Sequence, residues 1–189
     1  MPRNQRYVYI VLTQTGSALS GFLKTVTNAP FNHVSLSLKP DLSEMFSFGR
    51  RRPFNPFVGG FVMEAPRKGT FQRFPETEAL VIRRPITEQQ YRAIKRHFDG
   101  MYRIKDRYHY NLTGLALAAF GVSYRGPFKF YCSEFVRHVL VNSGVTAPDE
   151  FPKVVRPIDF LRLKNTRRIY RGKLKDYSVD PLARRLTAV

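Results

Sequence analysis

Phe130-Tyr131-Cys132-Ser133-Glu134-Phe135-Val136 contains the only cysteine of the 189 residues. Phe135, Val136, Val139 and Leu140 recur at helical spacing, so the segment predicts an amphipathic helix that starts at Cys132 and closes near Gly144. Cys132 leads the apolar series, in the first turn and on the inward face. Unpaired backbone N–H groups and the helix dipole make that position favourable for a nucleophilic sulfur. A lone inward cysteine is more often ordinary core packing, so the residue type by itself does not make it a nucleophile.

Working outward, the segment before this helix reads as strands and the flanks as short helices. Residues 7–13 are continuous, β-branched and aromatic, which predicts a buried first strand. Ser17 is a candidate cap for a short helix with Leu19, Phe22, Leu23 and Val26 on its apolar stripe. Residues 32–38 alternate in the strand manner, with Val34, Leu36 and Leu38 on one face and His33, Ser35 and Ser37 on the other. Residues 44–48 are the expected hairpin partner. Residues 50–60, rich in Arg, Pro, Phe and Gly, read as a loop, followed by strand-like segments at 60–64, 69–74 and 79–83. Thr87 with Gln90 forms a capping box for a helix carrying Tyr91, Ile94 and Phe98 inward. Residues 112–120 predict another helix, 157–163 a short one, and 166–170 a last strand. Strands gathered ahead of helices give an α+β class with an antiparallel sheet, in a single domain over residues 1–189.

Composition narrows the function classes. An apolar fraction of 43% with 14% aromatic residues belongs to a folded globular chain. One cysteine excludes an internal disulfide and any cysteine-rich zinc site, and four dispersed histidines give no metal-ligand spacing. Neither a metal nor another cofactor is implied, and Gly59-Gly60 alone is no phosphate loop. The apolar runs at 7–12 and 112–122 are too short to span a membrane, and the first has no small-residue cleavage site. A soluble, cytoplasmic protein is therefore expected. The net charge of +18 draws the chain towards anionic partners such as nucleic acid, acidic lipid surfaces or polymers. Its arginines are spread along the chain, and no zinc-finger, RNA-recognition or helix-turn-helix signature accompanies them.

A cysteine nucleophile needs a base. His138 stands four residues after Glu134 and reads as half of a surface helix pair. His97 sits among Lys95, Arg96 and Asp99 on a charged flank, in solvent. His109, within Tyr108-His109-Tyr110, competes seriously. His33 differs from these because its strand face is otherwise small and polar, and Ser35 and Ser37 would let a cysteine-bearing helix approach closely.

Phe31-Asn32-His33-Val34-Ser35-Leu36-Ser37-Leu38, taken with Phe130-Tyr131-Cys132-Ser133-Glu134-Phe135-Val136, resembles the circularly permuted papain-like cysteine enzymes. That group includes the YiiX-like and lecithin retinol acyltransferase-like branches of the NlpC-type superfamily, in which the histidine strand precedes the cysteine helix. Met45-Phe46-Ser47-Phe48-Gly49-Arg50, the helical stretch ahead of Cys132 and Ile169-Tyr170-Arg171-Gly172 agree with it, so the resemblance covers residues 7–172. It implies a permuted papain-like fold, Cys132 as nucleophile, His33 as general base and an oxyanion hole drawing on the Cys132 N–H. It also implies a third polar residue that orients the histidine. Ser47 on the hairpin partner and Glu64 in Gly60-Phe61-Val62-Met63-Glu64 are the two candidates. The implied chemistry is amide or ester hydrolysis, or acyl transfer, through a thioester, on an amide- or ester-containing substrate of anionic or lipidic character. The interleaved Arg and Phe of residues 50–57 are a candidate substrate rim. The rival reading from another class is a catalytically silent module that docks anionic lipid or nucleic acid through its basic surface.

Overall fold

The computed structural model describes residues 5–15, 30–52, 55–119, 121–124 and 126–179. The expected helix with Leu19, Phe22, Leu23 and Val26 lies outside the described residues. Strands β1 (Arg6–Gln14), β2 (His33–Ser37), β3 (Met45–Arg52), β4 (Asn55–Glu64), β5 (Glu78–Ile86) and β8 (Arg167–Lys173) form one six-stranded sheet in the order β4-β3-β2-β1-β5-β8. Every neighbouring pair in it is antiparallel. Two short strands, β6 (His109–Tyr110) and β7 (Lys129–Phe130), pair in parallel beside it. The helices are α1 (Gly69–Arg73), α2 (Glu88–Arg103), α3 (Leu112–Ala119) and α4 (Cys132–Asn142). The architecture is α+β, an antiparallel sheet packed against a few helices.

Strand alternation sends side chains to both faces of the sheet, and both are covered. On one face, Val8, Ile10, Leu12, Val34, Leu36, Phe48, Phe61, Leu80 and Ile82 pack against Ile94 and Phe98 of α2 and Phe135, Val136, Val139 and Leu140 of α4. The rings of Phe48, Phe61 and Phe98 all lie within 6.4 Å of the Phe135 ring. On the other face, Tyr9, Val11, Met45, Ala79 and Val81 meet Phe71 of α1 and Leu174, just past β8. Local signals hold where they are strong. Thr87 Oγ1 accepts from Gln90 N at 3.1 Å while Gln90 Oε1 accepts from Thr87 N at 2.9 Å, which completes the capping box of α2. Gly144, with φ of 66°, ends the turn after α4.

Two expectations are corrected. Residues 50–60 are mostly strand rather than loop: β3 continues to Arg52, and Arg50 pairs with Gly59 and Gly49 with Gly60. The glycines there answer to packing rather than to a turn, because a Cβ on Gly59 would fall 2.8 Å from Tyr110 Cβ. Residues 69–74, expected as a strand, form the single helical turn α1, whose one buried side chain is Phe71. A lone inward residue gives neither period a decisive signal, and the turn suffices to deliver that ring to the second cluster. The short helix expected at 157–163 is a 3-10 helix over Pro157–Arg162.

Truncating Phe135 to Ala should cost about 3–5 kcal/mol, as expected for a fully enclosed aromatic, and Thr87→Ala about 1 kcal/mol, as expected for a lost cap. Urea unfolding of both variants checks the ranking, and near-equal losses would contradict the packing described.

Candidate functional site around His33, Glu64 and Cys132

His33 is the first residue of β2, Ser47 is in mid-β3, and Glu64 is the last residue of β4. The β3–β4 register pairs Met45 with Glu64 and Ser47 with Val62, and that of β1–β2 pairs Thr13 with His33 and Val11 with Ser35. One sheet face therefore carries His33, Ser35, Ser47 and Glu64 together. Glu64 Oε2 accepts from His33 Nε2 at 3.0 Å, from Ser35 Oγ at 2.9 Å and from Ser47 Oγ at 2.7 Å. Ser35 Oγ also lies 3.3 Å from His33 Nε2. The two candidate orienting residues are thus both present in distinct positions: Glu64 touches the imidazole, and Ser47 holds Glu64. Gly49 lets the carboxylate in, since a Cβ there would stand 3.3 Å from Glu64 Oε1 and 3.6 Å from His33 Cε1.

Cys132 opens α4 and is 3% exposed. The helix does not approach over the small polar face, as expected from Ser35 and Ser37. It packs on the opposite face, against Val34 and Leu36, because the serine face is filled by the Glu64 network and the second cluster. His33 meets the Cys132 side chain from the strand terminus instead. With Nε2 engaged by Glu64, Nδ1 is the ring nitrogen left for the sulfur.

Burial disfavours the charged imidazole, but the Glu64 carboxylate and the polar contacts with Cys132 and Glu64 outweigh it, and the His33 pKa is raised to about 10. Burial likewise opposes ionisation of Glu64. The charge of His33, with hydrogen bonds from His33, Ser47 and Ser35, overcomes it and holds this carboxyl below its usual range. Both shifts favour the same charge-paired state, carboxylate with imidazolium, in a part-buried pair.

The start of α4 is fixed by polar contacts from distant segments. Ser133 Oγ donates to Val155 O at 2.8 Å. Glu134 is buried rather than on the surface: its Oε2 accepts from Tyr131 N at 3.3 Å and from Asn111 Nδ2 at 3.5 Å. Inward placement follows from the unpaired N–H groups of the first turn, which need an acceptor. His138 is exposed, 5.8 Å from the His97 ring. His97 is partly buried rather than solvated, and burial together with Arg96 lowers its pKa. His109 is exposed on β6. Tyr110 is the residue that sequence reasoning missed most completely. Burial raises its hydroxyl pKa, and the charges of Cys132, Tyr131 and Glu134 add to the shift, so the phenol belongs to the surroundings of the sulfur. No spacing rule links it to Cys132. Ser35, by contrast, was signalled by its position two residues from His33 on one strand face.

Among the described residues no group of His, Cys, Asp and Glu is arranged to hold a metal ion, and no helix is long and apolar enough to cross a membrane.

The two shifts set a stability window. A raised His33 pKa stabilises the fold fully below pH 6.5, and this is lost as pH rises towards about 10. A lowered Glu64 pKa stabilises it above pH 4.5, and this is lost as pH falls. The Tm gap between the native chain and Glu64→Gln should therefore be widest between those two values and narrow by pH 9.5. A gap independent of pH, in thermal melts at pH 5.5, 7.5 and 9.5, would refute the ion pair.

No protein-family model, curated protein or solved structure matches the chain.

Proposed function

We propose that the chain is a thiol enzyme of the permuted papain-like kind, hydrolysing an amide or ester or transferring its acyl group, with Cys132 as nucleophile and His33 as base. The observation that carries this reading is the buried Glu64–His33 pair beside the one cysteine, at the head of a helix. A charged imidazole is costly to bury, and a fold that needed only packing at His33 would be served by an apolar side chain. The order of the elements, histidine on β2 ahead of cysteine on α4, supports the permuted architecture.

The Cys132 proton passes to His33 Nδ1 before the attack, completing the imidazolium, and the sulfur then attacks the substrate carbonyl, forming the C–S bond and a tetrahedral oxyanion. The Cys132 backbone N–H, in the first turn of α4 where no intrahelical acceptor exists, donates to that oxyanion. Collapse of the adduct breaks the bond to the leaving nitrogen or oxygen, which receives the proton from His33. A thioester remains on Cys132. Water or a second acceptor, deprotonated by His33, then attacks the thioester, and the sulfur departs and is reprotonated. Glu64 is a positioning residue: it fixes the imidazole ring and stabilises its charged form. Ser35 and Ser47 hold Glu64.

A second reading has one observation behind it. Cys132 is enclosed in the main apolar cluster, as a packing cysteine would be, and the basic surface would then be the functional part.

Alkylation by iodoacetamide at pH 6 separates the two. The native chain should react about a hundredfold faster than His33→Ala, the scale of a positioned acid–base partner, and Glu64→Gln should alter the pH profile while leaving some reactivity. Equal rates in native and His33→Ala chains would sink the catalytic reading.

A further inference from the structure

A cleft of about 440 Å³ opens beside the Glu64–His33 pair, with Glu64 in its wall. Arg50, Arg51, Lys68 and Lys105 line it, and the acids facing it are Glu64 and Asp106. Both acids are engaged, Glu64 by His33 at 3.0 Å and Asp106 by Arg51 at 3.6 Å. Arg51 is also tied down as part of the frame, donating to Lys105 O and, at 2.8 Å, to Tyr108 O. Arg50 lines the same cleft from β3. Its guanidinium carbon lies 5.8 Å from the centre of the Phe74 ring, and that of Arg73 lies 5.5 Å from the same ring. Two guanidinium groups on one ring repel each other. Burial first, and the charge of Arg73 second, lower the pKa of Arg50 accordingly. Like charges gathered beside a cleft whose acids are already paired lower the energy of an anion there, which would gain charge-assisted hydrogen bonds. Thr70 adds a hydroxyl, and Val62 and Met63 supply apolar wall.

We propose that this cleft receives a carboxylate or phosphate carried by the acyl substrate, held by Arg50, Lys68 and Thr70, so that the site selects anionic amides or esters over neutral ones of the same shape. The inference rests on the catalytic reading for the word substrate, whereas the anion site itself stands on the cleft.

Isothermal titration of the full chain tests it with three probes: hippurate, its neutral amide, and phenyl phosphate. The two anions should bind and the neutral amide should bind at least tenfold more weakly. Whichever anion binds more tightly tells phosphate from carboxylate. Arg50→Gln and Lys68→Gln should each weaken anion binding about tenfold, the scale of one charge-assisted bond, while Lys164→Gln, an exposed cation outside the lining, should leave it unchanged. Lys68 is exposed, so its substitution keeps the test valid if Arg50→Gln fails to fold. Equal binding of hippurate and its amide, or anion binding indifferent to both substitutions, overturns the inference whatever the reactivity of Cys132. Selective anion binding in a chain whose Cys132 resists iodoacetamide would leave the anion site standing and overturn the catalytic reading alone.

Discussion

A carboxylate drawn onto the covered face of a sheet has to be matched by donors on that same face, and Glu64, at the end of the edge strand β4, meets this demand with three of them. The requirement reaches well beyond the site. It ties β2, β3 and β4 into one register, because slipping β3 by a single residue would replace Ser47 with Phe46 or Phe48 and leave a charge uncompensated. The same slip would turn Phe48 out of the cluster it shares with Phe61 and Phe135. Polar and apolar demands therefore select the same pairing, each reinforcing the other.

The division of the sheet into two covered faces explains why the chain can hold a polar network and a large aromatic core on one sheet. Helix α4 presses its apolar side on the Val34–Leu36 face, and the serines and Glu64 occupy the reverse. Cys132 and His33 come together only because one begins a helix and the other begins a strand. Their meeting point is the rim of the sheet, where a chain terminus of regular structure is also where backbone N–H groups are unspent.

What was legible in the sequence follows from the range of the interactions. Continuous β-branched runs found β1 and β5, alternation found β2, and the Thr87–Gln90 box found the start of α2, because each signal is local. The Gly59-Gly60 stretch misled, since a glycine accommodating a tyrosine across a strand looks the same in sequence as a glycine in a turn. His33 and Ser35 were readable from one strand. The choice between Ser47 and Glu64 was not, because their roles are set by register between strands. Tyr110, Asn111 and the inward turn of Glu134 depend on segments more than twenty residues apart meeting at the head of α4, and no periodicity encodes that.

Strand β8 stands at the outer end of the sheet, and among the described residues nothing pairs with its far side. Such a strand offers a row of open backbone donors and acceptors to any second copy. Its exposed side chains are Arg167, Arg168, Arg171 and Lys173. A copy approaching edge to edge would bring Arg167, Arg168 and Arg171 against their own counterparts, and that like-charge repulsion opposes pairing at this edge.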